Sequence, residues 1–388
     1  MKSTQNRRTP TPRTPTPIWR HKDWPDFRYD PAPVSIALFG ARRVQGVAEG
    51  KLVAVGLAAR LEAVAEAWAR DAVATAEIEG ERLNLEAVRS SIARRLGTAQ
   101  RKGGRAPRQV EGLLDIMQDA VRNANDPLTD ERLCGWQAAL FPTGYSGIAK
   151  IAVGAYRSHA VPMQIVSGRV GGETVHYVAP PSATLAREMR KFLAWFNAPH
   201  DAGSIVHAAI SHLWFETVHP FEDGNGRVGR AIIDLALARD AGEASRLFRF
   251  SQQLLDQRDE YYRRLETAQH GGLVVTEWVL WFVEQFSQAC LRASAVVDLS
   301  LEKGHFWANH SGADLTERQR KVVNLLLDAG PRGFEGGMST SKYQGAGNTS
   351  RATASRELVG LEAQGLLKAT GTGRGTRYHI AIEGWEPV

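Results

Sequence analysis

The chain has 388 residues, of which 43% are hydrophobic and 23% charged, and this composition excludes a disordered or fibrous protein. Its longest apolar runs fall short of the ~18 residues that a spanning helix needs, so we expect no membrane partner. Cys134 and Cys290 are too few for a disulfide framework, and with no signal-like segment they predict a cytoplasmic location. The formal net charge of +6 favours anionic partners.

The N-terminal part of the chain divides into two segments. Residues 1–17 contain "TPTPRTPTP" and are predicted to be a disordered tail, because they offer few apolar side chains for a core. Residues 18–109 are predicted to be a helical region, since apolar residues recur every three to four positions between Gly50 and Gly97. Gly80 stands where a helix end favours a left-handed residue.

Residues 110–300 are predicted to be a helical core. Amphipathic or apolar segments such as "VEGLLDIMQDAVRNA", "SIVHAAISHLWFETV" and "RVGRAIIDLALARDAG" favour helices. The segment "MQIVSGRVGGETVHYVAPP" differs, because β-branched and aromatic residues flank a Gly-Gly pair, and it predicts a β-hairpin. An isolated hairpin is marginally stable, so we expect it to lean on the helices with one edge free.

Residues 301–388 change character. Two helical segments, a helix after Ser350 and two short strands around "GTGRGT" resemble a winged helix-turn-helix domain, with that helix in the recognition position. Four arginines are candidates for DNA contacts: Arg351, Arg356, Arg374 and Arg377. Protein binding and packing against the rest of the chain remain open alternatives for this domain.

The segment "HPFEDGNGRVGR", His219 to Arg230, places many functional groups between two helices. Pro220 ends the apolar helix before it, so His219 lies on a loop. Asp223 to Gly226 form a turn into the next helix, which we expect to begin near Arg227. The amides and dipole of a helix N-terminus bind anions, and glycines allow a phosphate to approach the backbone.

The side chains of this segment indicate phosphate chemistry. Arg227 and Arg230 lie three residues apart on one helix face, where two guanidinium groups suit successive phosphates. Asp223 is an oxygen ligand of the kind Mg²⁺ binds together with phosphates and water. His219 is the group that accepts a proton near neutral pH. Together they predict phosphoryl or nucleotidyl transfer to a hydroxyl.

The same segment resembles the signature of the Fic (filamentation induced by cAMP) family, H-P-F-x-[D/E]-G-N-G-R-x-x-R, with every defined position matched. The resemblance extends to "GAYRSHAVPMQIVSGRVGGETVHYVAPP" and "YYRRLETAQHGGL". It implies a mostly α, Fic-type helical bundle with an inserted β-hairpin flap. It also implies a protein adenylyltransferase, in which a Ser, Thr or Tyr hydroxyl of a target protein attacks the α-phosphate of ATP.

The resemblance assigns roles residue by residue. It implies that His219 is the general base and that Asp223 holds Mg²⁺. Asn225 with the amides of Gly224 and Gly226 would orient the transferred group, and Arg227 and Arg230 would hold the β- and γ-phosphates. Further nucleotide contacts are implied on the flap and on a later helix: Glu173, Thr174, Val175, His176, Tyr261, Tyr262 and Gln269. Ordinary helix packing remains the alternative for the two tyrosines.

A second, shorter pattern precedes the core. Thr75, Glu79 and Gly80 in "TAEIEG" match [S/T]-x-x-x-E-[G/N], which in Fic proteins marks an inhibitory helix. The resemblance implies that Glu79 pairs with Arg230 and keeps the γ-phosphate out. The helix stands before the core in the same chain, as in the Fic class inhibited from the N-terminal side.

Two other functions remain open. The same site run in reverse would make the protein a deAMPylase, with Glu79 positioning a water. Alternatively the Fic core would sense a nucleotide for a DNA-binding regulator, although a sensor has no need of His219. A Doc-type phosphotransferase is disfavoured, because that branch carries a lysine where Gly226 stands. A homodimer is left open.

Overall fold

A computed structural model describes residues 16–97, 107–167, 174–199 and 203–385. The predicted tail therefore lies outside the described residues except for positions 16 and 17. The chain divides into two compact units, residues 1–294 and 295–388, a few residues before the boundary predicted at residue 301. In the described part of the chain, no helix combines the length and apolar character needed to cross a membrane.

The first unit is built from helices with small β-hairpins, which confirms the prediction of a mostly helical chain. Its strands pair as two antiparallel hairpins, β1 with β2 and β3 with β4. The helices are α1 (Pro31–Ala54), α2 (Leu57–Ile78), α3 (Leu85–Arg95), α4 (Arg108–Arg122), α5 (Asp130–Leu140), α6 (Leu185–Asn197), α7 (Gly203–Val218), α8 (Asn225–Ala241), α9 (Phe250–Asp256), α10 (Arg258–Gln269) and the first part of α11 (Thr276–Asn309). The strands are β1 (Tyr145–Ser146), β2 (Ala149–Lys150), β3 (Gln164–Ser167) and β4 (Thr174–Val178).

Helices α7 and α8 form the centre of this unit. Every residue of α7 from Ser204 to Val218 is buried, as expected for a helix that is apolar on all sides. It packs against α6 and α8, and α8 packs in turn against α4. The loop that joins α7 to α8 is therefore anchored at both ends in the core.

Helix α2 packs against α3, α8 and α9 and ends in a Schellman motif. The amide of Glu81 donates to the Ala76 carbonyl at 3.0 Å, and the amide of Gly80 donates to Glu77 at 2.9 Å. Gly80 has a φ of +80°, which confirms the left-handed helix end predicted for it. The motif fixes the direction in which Glu79 and Glu81 leave the helix.

Hairpin β3–β4 occupies the predicted position and pairs Gln164 with Val178, while residues 168–173 lie outside the described ranges. It leans on the helices at its base. The Tyr177 hydroxyl donates to the Thr217 carbonyl of α7 at 3.0 Å, and the Trp19 indole donates to the Val178 carbonyl at 2.9 Å.

The second unit has its own apolar core. Its elements are the rest of α11, α12 (Glu317–Asp328), α13 (Thr340–Gly347), α14 (Arg351–Ala363), β5 (Leu367–Thr370) and β6 (Arg377–Ile380). Ser350 caps α14 by accepting a hydrogen bond from the Thr353 amide at 3.2 Å. Strands β5 and β6 are antiparallel, and β6 also forms a bridge from Tyr378 to Met338. This order is compatible with a winged helix-turn-helix, which stays a prediction.

Candidate active site

His219 leaves α7 in a left-handed conformation. Its φ is +50°, which is uncommon outside glycine, and its amide still donates to the Phe215 carbonyl at 2.8 Å. The turn brings the imidazole back beside the last turn of α7, where Nδ1 lies 3.5 Å from Oε2 of Glu216. Strained backbone of this kind is common at functional positions.

Asn225 holds the loop closed. Its side-chain oxygen accepts from the Phe221 amide at 2.9 Å, and its side-chain nitrogen donates to the Phe221 carbonyl at 2.8 Å. Phe221 is fully buried, so the loop has an apolar anchor as well. The side chain of Asn225 thus shapes the loop, whereas the resemblance implied a contact with the transferred group.

Gly224 and Asp223 form the turn into α8, which begins at Asn225, two residues before the predicted start. Gly224 has a φ of +89°, and a Cβ there would meet Phe141 at 2.9 Å. Asp223 accepts from the Gly224 amide through Oδ1 at 2.6 Å and from the Ser146 hydroxyl through Oδ2. No group of three or more His, Cys, Asp or Glu side chains in the described ranges is arranged to hold a metal. A single carboxylate nevertheless fits Mg²⁺, which takes its remaining ligands from phosphates and water.

Arg227 points away from solvent and toward the end of α2. Its guanidinium lies 5.1 Å from the centre of the Phe141 ring, a cation–π contact. One of its terminal nitrogens is 2.9 Å from Oε1 of Glu81. No sequence pattern indicated this second acidic contact.

Arg230 is 2% exposed and donates three hydrogen bonds to the end of α2. Its Nε donates to the Thr75 hydroxyl at 2.7 Å, and a terminal nitrogen donates to the Thr75 carbonyl at 2.9 Å. The same nitrogen donates to Oε1 of Glu79 at 2.8 Å, across 151 residues of sequence. The predicted pair is therefore in contact, and Thr75 contributes two further bonds.

Two carboxyl groups, the buried Asp71 and the partly buried Asp234, lie one helical turn beyond Thr75 and Arg230. Asp71 and Asp234 line one small cavity with Trp68 and Arg246. Burial raises the pKa of Asp71 to about 6, against lowering by the Gln252 amide, Arg249, Ser251 and Arg230. Burial and the proximity of Asp71 also raise the pKa of Asp234.

Arg157 connects the loop to the flap, and no local sequence pattern pointed to it. Its Nε donates to the His219 carbonyl at 2.8 Å, and a terminal nitrogen donates to Pro180 at 2.7 Å and Val218 at 3.2 Å. Its own amide donates to the Pro220 carbonyl at 2.9 Å. Burial lowers the pKa of this guanidinium to about 10, and its Nε and one terminal nitrogen donate to carbonyls rather than to a carboxylate.

The predicted flap contacts are only partly described. Glu173 lies outside the described residues, and Thr174 begins β4. Val175 is exposed, and Nδ1 of His176 lies 3.3 Å from Oε2 of Glu266 on α10. The flap strand therefore runs beside α10.

Tyr261, Tyr262 and Gln269 all lie on α10 but differ in environment. Tyr261 is 1% exposed, and its hydroxyl is 2.7 Å from Nε2 of His212 on α7. This environment is the one expected for ordinary helix packing. Gln269 is also buried. Tyr262 is partly exposed, and its hydroxyl donates to the Ile78 carbonyl at the end of α2 at 3.4 Å.

Comparison with known families agrees with this geometry. Residues 127–237, which include the whole loop, match the Fic/DOC family. This part of the chain resembles the Fic/DOC family. Residues 18–98 match a separate family described as a domain of unknown function (DUF4172), and these residues include α2. The match to the Fic/DOC family thus covers α7, the loop and most of α8.

Curated relatives of the Fic domain are named adenylyltransferases. Protein adenylyltransferase Fic of Nematostella vectensis is 30% identical over 151 residues, which cover 37% of this chain and 34% of the relative. A probable protein adenylyltransferase of Aquifex aeolicus is 32% identical over 98 residues, 25% of this chain and 28% of the relative. The chain thus spans about a third of the length of these relatives.

The fold also matches a solved Fic structure. The crystal structure of a Fic family protein from Desulfovibrio desulfuricans G20 has a TM-score of 0.52 at 20% identity. The match covers 92% of this chain and 98% of that chain. The two proteins share a fold.

Proposed function

We propose that the protein is an adenylyltransferase that transfers AMP from ATP to a Ser, Thr or Tyr hydroxyl of a target protein and is inhibited by its own helix α2. One observation carries the proposal. The loop that presents His219 continues into a helix whose buried Arg230 is occupied by Glu79 at 2.8 Å. The base and the anion-binding helix end lie in one segment, and a carboxylate at the end of α2 blocks the anion site.

The transfer step uses groups of the loop. The target hydroxyl oxygen attacks the α-phosphorus of ATP, and its proton passes to Nε2 of His219. The bond between the α-phosphorus and the bridging oxygen breaks, and pyrophosphate leaves. The amides at the start of α8 and the guanidinium groups of Arg227 and Arg230 stabilise the phosphates. Asp223 would hold Mg²⁺, which neutralises phosphate charge when bound.

Inhibition follows from competition for Arg230. Its guanidinium has five N–H donors, and the bonds to Thr75 and Glu79 engage three of them. The Glu79 carboxylate also repels a γ-phosphate that approaches the same arginine. ATP that binds while Glu79 is in place lacks this contact and is not held for in-line attack.

The test is transfer of label from ATP carrying a radioactive α-phosphate to proteins of a cell lysate and to the chain itself. Glu79→Gly should raise labelling above wild type, and Glu79→Gly with His219→Ala should abolish it. Glu77→Gly is the matched control, because Glu77 is exposed on the same helix end. Equal labelling by wild type and Glu79→Gly contradicts the proposal, and AMP release from a pre-labelled target favours the reverse reaction.

For the second unit we propose a contact with DNA through α14. Arg351 and Arg356 are exposed near the N-terminal end of this helix. Exposed arginines there suit phosphate contacts, which weaken steeply as salt rises. A salt-dependent mobility shift on random-sequence DNA that Arg351→Ala reduces is expected. Absence of binding at low salt would instead favour a protein partner for this unit.

A further inference from the structure

Glu216 is a buried carboxylate beside the proposed base. It lies in the last turn of α7, is 6% exposed, and is surrounded in sequence by the apolar and aromatic residues of "HLWFETV". Its Oε2 is 3.5 Å from Nδ1 of His219. A buried carboxylate is costly unless a partner compensates its charge, so its position here requires an explanation.

The compensating partner of Glu216 is His219. Within the described part of the chain, His219 is the basic side chain found within 4.0 Å of this carboxylate. In the same described ranges, no lysine or arginine nitrogen lies within 4.0 Å of the Glu216 carboxylate, although these are the usual partners of a buried carboxylate. The pair joins the last turn of α7 to the loop through side chains, in addition to the backbone bond from His219 to Phe215.

Helix α8 leaves room for this carboxylate at Gly229. A Cβ at Gly229 would stand 2.4 Å from Oε1 of Glu216 and 3.1 Å from Nδ1 of His212. Any larger residue would push Glu216 away from His219. Gly229 thus permits α8 to pack closely against Glu216. The Fic signature leaves position 229 undefined, so it does not itself call for this glycine.

The charged and titratable groups facing Glu216 favour its ionised form. Burial alone would raise its pKa, but the neighbouring His219 and the charge of Arg230 bring the pKa below its usual value. Burial lowers the pKa of His212 to about 4, so His212 is neutral at pH 7 and bonds to Tyr261 of α10. Tyr261 and Tyr262 complete the set of facing groups, and burial raises both of their pKa values.

We propose that Glu216 is a positioning residue that holds Nδ1–H of His219 and so presents Nε2 to the target hydroxyl. The inference rests on the proposed function, in which His219 is the base. With Nδ1–H donated to Glu216, the lone pair on Nε2 is free to accept the hydroxyl proton. The imidazolium formed in that step is stabilised by the adjacent carboxylate and later returns the proton to solvent. An orienting carboxylate behind a histidine is a recurring device in hydrolases.

The test compares three proteins in the full-length Glu79→Gly background: the parent, Glu216→Gln and Glu216→Asp. Glu216→Gln keeps the volume and removes the charge, so kcat should fall on the order of 10²–10⁴-fold. The affinity for ATP should stay within about twofold, because Glu216 acts through His219. The acidic limb of the pH–rate profile should move to lower pH, because an anion beside the imidazole is lost. Glu216→Asp, which keeps the charge, should recover part of the rate.

Glu222→Gln is the matched control, because it removes a carboxylate charge from the same loop without touching His219. Glu222 accepts from the Ala152 amide at 2.9 Å, which a glutamine oxygen also does. This control should leave kcat and the pH profile unchanged. A Glu216→Gln protein with the rate and pH profile of the parent overturns the proposal. So does a fall in kcat matched by an equal loss of ATP affinity with no movement of the acidic limb.

A second measurement separates this proposal from the proposed function. Nitrogen NMR shifts of the His219 imidazole, assigned with His219→Ala, report which ring nitrogen carries the proton and need no activity. We expect Nδ1–H in the parent and a mixture of tautomers in Glu216→Gln. If the parent transfers no AMP but shows this change, the proposed function fails and the positioning role stands. Identical tautomers in both proteins overturn the positioning role even when AMP transfer is observed.

Discussion

The carboxylate of Glu79 occupies the space that a side chain at Gly226 would need. A Cβ built on Gly226 would stand 2.1 Å from Oε1 of Glu79 and 3.1 Å from a terminal nitrogen of Arg230. The glutamate therefore contacts the backbone of α8 as well as its arginine. Glycine at position 226, in the first turn of α8, thus leaves room for the Glu79 carboxylate and, under the proposed function, for a phosphate.

Gly226→Ala should accordingly destabilise the protein through Glu79. Forcing an added methyl into an occupied space costs about 1–3 kcal/mol of the free energy of unfolding. We expect most of that loss to disappear in the Glu79→Gly background, where the space is empty. Urea unfolding of the two single variants and the double variant measures this coupling. Equal losses in both backgrounds would show that Glu79 does not lie on Gly226.

Glu81 should act as a weaker second restraint through Arg227. Its side chain is 45% exposed, and exposed ion pairs contribute about 0–1 kcal/mol, so Glu81→Gln should tighten ATP binding by about fivefold or less. The effect is best measured as the ATP dissociation constant in the Glu79→Gly background. Glu77→Gln is the control for the loss of a carboxylate at the same helix end. An unchanged constant would mean that Arg227 binds phosphate without competition from Glu81.

Arg157→Lys should destabilise the fold and disturb the loop. Lysine keeps the charge but loses the forked bonds to the carbonyls of Pro180, Val218 and His219, and bonds from charged groups are worth about 1.5–3 kcal/mol each. We expect a loss of about 2 kcal/mol or more in urea unfolding, with lower AMP transfer. Arg187→Lys, at an exposed position, should change stability by about 0.5 kcal/mol or less. Similar losses of stability in both variants would contradict a stabilising role for the hydrogen bonds from Arg157 to the three carbonyls.

Asp71 should make the stability of the protein fall as pH rises. Its pKa is about 6 in the folded state and near 3.8 in the unfolded chain. As the pH rises between these values, the unfolded chain loses this proton before the folded protein does, so the free energy of unfolding decreases. Asp71→Asn removes this pH dependence. Its side-chain oxygen can still accept from the backbone amide of Gln252, which donates to Asp71 at 3.0 Å in the wild-type protein. The stabilisation by Asp71→Asn should therefore be larger at pH 7 than at pH 4. Equal stabilisation at both pH values would show that Asp71 does not titrate in this range.

The loop was predictable because its chemistry is local. Turn residues, a helix start and the three-residue spacing of Arg227 and Arg230 follow from short-range geometry. The pairing of Arg230 with Glu79 follows from the family resemblance, since no periodicity links residues 151 positions apart. Arg157 and Ser146 escape prediction for the same reason, because their partners are brought near by the fold.

Other features were present in the sequence without being interpreted. Glu216 is a charged residue in a mostly apolar helix, three positions before His219. A carboxylate in such a helix indicates a buried partner of opposite charge. Helix α1 extends from Pro31, whereas helices are predicted only from about Gly50. Glycines at positions 40, 46 and 50 lower helix propensity, and the buried face of α1 outweighs that cost.

Under the proposed function, the Schellman end of α2 determines how Glu79 can leave Arg230. Glu79 is the C-cap of the helix, and its last turn is secured by the amides of Gly80 and Glu81 and by bonds from Arg258 and Tyr262 to the Ile78 carbonyl. Helix ends fray at a fraction of the cost of global unfolding. Melting this single turn withdraws Glu79 while Trp68 and Ala72 stay buried in the core. Under the proposed function, AMP transfer by the wild-type chain should therefore rise with temperature well below the temperature at which the protein unfolds.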